Sequence, residues 1–313
     1  PLNAGSQDEA KYLTYCKVKE SLSGDMTMTI QPQTREELQL LLARIVKTEL
    51  GTASAFGTPG TPGYMAAQKA QAVAAYTYIL YSNQVERSTP TLSLKSLDLS
   101  NTTDRQIYEA VGDVVGIKIL SGGRPVFTPY FSSSPGVTAD NQYIFGQQLP
   151  YGSVLSEYDD AEHVGDSNWE SRAAFDRTAL LQRVEAYLAD DKTGYRPAVS
   201  IEGTLRVLSW DQYGKYPQTL SITYPDGNGK DRYLTGKQLY DILGLRSPSF
   251  QVVSDDGEQV VLQTQGWGHC VGLSQWGAVG YARNENWDYK RILGHYYSIT
   301  ASSSQRLVAP VWS

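Results

Sequence analysis

Glu49 follows Leu38, Leu41, Leu42 and Ile45 at helical spacing, which places its carboxyl on the line of an apolar stripe. A carboxyl there is partly desolvated, which disfavours its charge and raises its pKa. The last turn of a helix also presents partial negative charge, which acts in the same direction. Such a group suits general acid chemistry, for example giving a proton to a glycosidic oxygen. The plain alternative is a helix-end residue turned to water. A second cluster is Gly266-Trp267-Gly268-His269-Cys270-Val271-Gly272-Leu273-Ser274-Gln275-Trp276-Gly277-Ala278, with four glycines and two tryptophans in thirteen residues. Glycine lets backbone approach another surface, and flat apolar rings beside short polar arms suit a sugar chain.

Within that block His269 has two readings, binding and proton transfer beside Glu49, or a core histidine bonded to backbone. Ser274 and Gln275 are either sugar-binding donors or an N-cap and a first-turn residue. Lys69 and Gln71, on an Ala-rich segment, either reach a ligand beside Glu49 or lie on a solvated face. His269 and Cys270 are adjacent in an extended segment and point oppositely, so they form no nucleophile and base. The block holds no G-x-S-x-G elbow.

These groups need elements to hold them. Thr34-Arg35-Glu36-Glu37 is a capping-box pattern that starts a helix at Thr34, and Gly51 is placed to end it as a C′ residue. Residues 1–33 read as an extended strand or wrap, and residues 51–64 as a loop. An Ala-rich helix is expected from Met65 to Ser82. A strand over Asp113–Leu120, a Ser121-Gly122-Gly123 turn and a return over Val126–Phe131 follow. Ser171–Leu188 has helical spacing at Leu181, Val184 and Leu188. Residues 199–264 read as hairpins with turns at Pro225–Gly229 and Asp255–Gly257. Short helices are expected after Ser274 and from Tyr289 to Tyr297.

The chain has 313 residues and a net charge of −6, with no Lys/Arg run, which argues against a nucleic-acid partner. Twenty-two tyrosines and six tryptophans fit a protein that handles sugars. No apolar stretch approaches the ~18 residues of a membrane span. Pro1 in place of an initiator Met suggests a trimmed start, which leaves room for a signal or N-terminal anchor ahead of it. With only Cys16 and Cys270, cysteine-held structural zinc is not supported. A Cys16–Cys270 disulfide and two separate buried thiols both stand as readings.

Several long motifs occur in order. They are the Val46-Lys47-Thr48-Glu49 helix end, Ala67-Gln68-Lys69-Ala70-Gln71-Ala72-Val73-Ala74-Ala75-Tyr76-Thr77-Tyr78, Tyr130-Phe131-Ser132-Ser133-Ser134, Leu243-Gly244-Leu245-Arg246, the closing block, and Ile292-Leu293-Gly294-His295-Tyr296-Tyr297. Together they resemble the SpoIID/LytB family of bacterial cell-wall proteins, from about Thr34 to Thr300. The family often has Arg where Tyr76 stands, Glu where Ala66 stands, and Met-Pro where Leu50-Gly51 stands.

The resemblance implies a lytic transglycosylase cutting the β-1,4 bond from N-acetylmuramic acid to N-acetylglucosamine, with Glu49 as acid and base. Lys69, Gln71, Tyr76, Tyr130, Ser132, Ser133, His269, Ser274 and Gln275 are then the substrate-binding candidates. It implies no cofactor, peptidoglycan strands as partner with a cell-wall amidase beside them, and an extracytoplasmic location. Some relatives hold zinc through Cys and His just after the Tyr-Phe block, but residues 132–140 contain neither, so no metal is expected. Two other readings stand beside this one. The first is a two-carboxylate muramidase using Glu157, Asp159 or Asp211, with carboxyls about 5 to 9.5 Å apart. The second is a glycan-binding enhancer of an amidase. The expected fold is α+β, with helices around Glu49, hairpin-rich sheet regions and two lobes about a central cleft. Its regions are 1–135, 136–198 and 199–313.

Overall fold

The computed structural model describes residues 16–24, 26–190, 205–223 and 231–310. The expected Pro225–Gly229 turn, and residues 1–15 of the N-terminal wrap, lie outside the described residues. The fold is mixed α+β, with helices and several small sheets. The chain forms two compact units, both discontinuous in sequence. One comprises Pro1–Tyr130, Gln148–Val154 and Gly272–Ser313, and the other Phe131–Gln147 and Leu155–Val271.

The first unit is organised by its helices. Thr34 caps the Arg35–Leu50 helix, its hydroxyl accepting from the Glu37 amide at 3.2 Å. The Glu37 carboxylate reaches back to the Gln33 amide at 2.6 Å, one residue before the cap that a standard box would engage. Gly51 ends the helix at φ −73°, outside the left-handed region expected of a C′ glycine. It is glycine for want of room: a β-carbon would stand 2.3 Å from the Lys47 carbonyl oxygen.

Leu38, Leu41, Leu42, Ile45 and Val46 are buried on this helix, which packs on the Ala66–Tyr81 and Thr102–Gly112 helices. Ala66–Tyr81 is buried on nearly every side, because its run of alanines lets four helices approach it. Besides the two named, these are Gln275–Asn284 and Tyr289–Tyr296. Its Thr77 hydroxyl accepts from the Ile119 amide at 3.0 Å, docking the neighbouring strand.

Val18–Ser21 pairs antiparallel with Thr27–Ile30 and parallel with Thr91–Leu92. Lys118–Ser121 lies between Gln305–Val308 and Arg124–Pro125. The strand expected over Asp113–Leu120 is therefore shorter. Asp113 is instead the C-cap of the Thr102–Gly112 helix, and Gly116, at φ 81°, breaks the extended run. The return is two short strands, Arg124–Pro125 and Tyr130–Phe131, with Pro125 and Pro129 limiting pairing between them.

In the second unit, Pro217–Thr223 is the centre of an antiparallel sheet with Leu205–Trp210 and Asp231–Thr235. Gln259–Gln265 is the centre of another, between Phe250–Asp255 and Glu170–Asp176. The first third of the expected 171–188 helix is thus a strand, and the Arg177–Asp190 helix begins after it. Leu181 and Val184 of that helix join Leu220, Leu239, Phe250 and Leu262 in one core. A helix over Gly236–Leu243, which the hairpin reading of 199–264 omitted, opens on a complete capping box of Thr235 and Gln238.

Candidate functional site

Glu49 is exposed, not partly desolvated as its periodicity suggests. Leu50 turns inward on the same helical turn, and the carboxyl stands at the edge of the buried stripe. What holds it comes from the closing block. Leu273 donates its amide to the Pro129 carbonyl at 3.1 Å. Ser274, fully buried, then caps the Gln275–Asn284 helix by accepting from the Gly277 amide at 3.1 Å. Of its two readings, Ser274 takes the structural one. Gln275 follows as the first helical residue, and its Nε2 donates to Glu49 Oε2 at 2.7 Å and to Gln71 Oε1 at 3.2 Å.

Three motifs distant in sequence therefore meet inside one unit. A hydrogen bond to an ionised carboxylate is stronger than one between neutral groups, so the amide fixes one Glu49 oxygen. The other takes no hydrogen bond from a described residue. Gln71 is fully buried, and its Nε2 has no hydrogen-bond partner among the described residues. Tyr130 is half-buried. Burial pushes its phenol pKa up, and the Glu49 charge and Tyr78 add to the rise. Tyr78 stands edge-on to Tyr130 at 6.4 Å. It was not singled out from the sequence, yet it lies seven residues after Gln71, on the same helical face.

Other candidates are placed differently. Lys69 pairs with Asp113 at 2.8 Å, and Tyr76 is only 1% exposed. In the second unit, His269 is half-buried, edge-on to Phe131 at 5.6 Å and Phe145 at 5.1 Å. Its Nδ1 accepts from the Val271 amide at 3.1 Å, so the neutral ring carries its proton on Nε2. Ser133 exchanges backbone hydrogen bonds with Trp267, and its buried hydroxyl has no partner among the described residues. Ser132 is half-buried.

The glycines of the closing block face protein. A β-carbon would lie 2.6 Å from the Ser133 carbonyl oxygen at Gly266, 2.9 Å from Phe131 Cβ at Gly268, and 2.2 Å from the Pro129 carbonyl oxygen at Gly272. All three have positive φ. They let the block lie against the Pro129–Ser134 segment, rather than against a sugar as their spacing suggested. Cys16 and Cys270 are free and buried, which settles the two-thiol reading over the disulfide. Burial pushes each thiol up to about 12.

Of the further carboxylates, Asp159 is buried and accepts from the Ser134 amide and hydroxyl at 2.8 and 2.6 Å. Asp211 accepts from the Lys215 and Tyr216 amides at 2.7 and 2.9 Å. Asp159 is thus tied to Ser134 and Asp211 to local backbone, while Glu157 is exposed. Among the described residues, no group of three or more His, Cys, Asp or Glu is arranged to hold a metal ion.

No family model matches the chain. Stage II sporulation protein D of Bacillus subtilis (strain 168) is 26% identical to it over 260 residues, covering 76% of this chain and 68% of that protein. An uncharacterized protein of Brachyspira hyodysenteriae is 28% identical over 247 residues, covering 75% of this chain and 60% of its own length. Stage II sporulation protein D of Bacillus amyloliquefaciens is 26% identical over 194 residues, 62% of this chain and 49% of that protein. Along most of its length the chain is thus similar to stage II sporulation D proteins.

Proposed function

We propose that the chain is a lytic transglycosylase of peptidoglycan acting outside the cytoplasm, with Glu49 as acid and then base. Glu49 gives its proton to the glycosidic oxygen of the leaving N-acetylglucosamine as the bond to the muramic acid anomeric carbon breaks. The carboxylate then takes the proton of the muramic acid C6 hydroxyl, whose oxygen attacks that carbon and closes a 1,6-anhydro ring. One carboxyl suffices because the nucleophile belongs to the substrate, and a bound strand would itself exclude water from the exposed carboxyl.

The observation that carries this reading is the Gln275 bridge, which joins Glu49 to Gln71 and brings three of the resemblance-bearing motifs to one carboxylate. The relatives named for sporulation support a cell-wall role of that kind. Among the described residues no helix is long and apolar enough to cross a membrane.

Glu49→Gln keeps the shape of the side chain and removes the exchangeable proton. It is expected to abolish cleavage of denuded strands while leaving strand binding intact. Mass spectrometry of the wild-type digest should find 1,6-anhydro ends, lighter by one water than reducing ends. Reducing ends would instead indicate a muramidase. The exposure of Glu49 favours a second reading, a glycan-binding enhancer of an amidase. Retained binding with no cleavage by the wild type would select it.

A further inference from the structure

The second unit carries a cavity of about 180 Å³ where the ends of its two sheets approach, lined by Trp210, Lys215, Phe250, Gln251, Gln263 and Gln265. Phe250 belongs to the core and is buried. Trp210 closes its strand and is 41% exposed, so it offers a broad apolar face to a ligand. Gln263 is a fixed wall. Its carboxamide accepts from Arg172 at 3.0 Å and donates to Glu170 at 2.5 Å.

The other polar arms are uncommitted. The side chains of Lys215, Gln251 and Gln265 have no hydrogen-bond or ion-pair partner among the described residues. The Lys215 backbone is nevertheless anchored. Its amide donates to Asp211 at 2.7 Å, and its carbonyl accepts from the Ser249 hydroxyl at 2.9 Å. No carboxylate lines the cavity.

We propose that this cavity is a saccharide subsite, with the Trp210 indole as the platform for one sugar ring. Each free carboxamide both donates and accepts, which matches the edge of a ring that carries hydroxyl and acetamido groups. A pocket with one apolar face and a few convergent polar groups is the general form of a small-ligand site. An ammonium in no ion pair with a described carboxylate adds a place for an anionic substituent. Resting on the peptidoglycan reading, that substituent is the lactyl carboxylate of muramic acid.

The test follows the indole N–H resonances of the full chain carrying Glu49→Gln, so that turnover does not enter. The Trp210 signal is the one lost in Trp210→Phe. Titration with chitobiose and with the N-acetylglucosamine–N-acetylmuramic acid disaccharide is expected to shift that signal to saturation. Lys215→Gln is expected to weaken the muramic disaccharide about fivefold, the scale of an exposed charge pair, and to leave chitobiose unchanged. A Trp210 signal unmoved by either sugar, or moved only by a stem peptide, overturns the subsite. Equal loss for both sugars in Lys215→Gln overturns the anionic part. Saccharide binding at Trp210 without anhydro products would remove the transglycosylase reading alone, and anhydro products with no shift at Trp210 would remove the subsite alone.

Discussion

Gln275 does for Glu49 what a positioning residue does: it touches the carboxylate and is itself held by a buried neighbour, Gln71. Replacing it with Leu removes one charge-assisted hydrogen bond, worth about 1.5 to 3 kcal/mol in general and toward the low end at an exposed carboxyl. Gln275→Leu should therefore lower kcat on denuded strands about tenfold, with KM little changed. A fall in thermal stability with no change in kcat would make Gln275 purely structural. At the same scale, both thiols sit far above neutral pH because they are buried. A thiol reagent at pH ~8 should label neither cysteine in the native protein and both after unfolding. Cys270 labelled in the native state would contradict its burial.

Between elements, the Arg35–Leu50 helix that carries Glu49 is pinned near its end by Lys47, which bonds Asp104 at 2.6 Å. Burial pushes the Asp104 carboxyl up, but hydrogen bonds from Lys47 and the Asp98 amide, and the Lys47 charge, outweigh it and hold its pKa below the ordinary value. The folded pKa is thus depressed. Its stabilisation is fully present above the unfolded value of about 3.9 and is lost as pH falls through the folded value. Asp104→Asn should cost about 2 kcal/mol in denaturant titrations at neutral pH, somewhat less than a fully buried pair. The gap from wild type should close in acid. A gap that persists below the folded value would mean that the loss comes from packing.

Local signals were legible where they were self-contained. Thr34 and Glu37 announced one helix and Ser274 another, and long motifs pointed to Glu49, Gln71 and Gln275, which the Gln275 amide joins. The Glu170–Asp176 strand was hidden, because its sequence has a single large apolar residue, Phe175, and its partner strand is about ninety residues away. Pairing at that distance overrides local propensity. The exposure of Glu49 was not legible either, since periodicity gives a direction around the helix but not what stands opposite. The Thr102–Gly112 helix did leave a trace, Asn101 as cap with Ile107, Ala110 and Val111 buried on one face.

At the scale of the molecule, each unit has its own long-range closures. In the first, Gln305–Val308 completes a sheet begun by Lys118–Ser121, and the Gln305 carboxamide reaches the Pro150 carbonyl at 2.6 Å. The Ala66–Tyr81 helix, packed early by Arg35–Leu50 and Thr102–Gly112, waits for Gln275–Asn284 and Tyr289–Tyr296 to finish covering it. On a ribosome, where residues emerge one after another, the segments of the second unit are all synthesised by Val271, ahead of the last piece of the first. The unit begun first is finished last. Its alanine helix, apolar and only partly covered until Tyr296 has emerged, is the stretch that a chaperone would shield during synthesis.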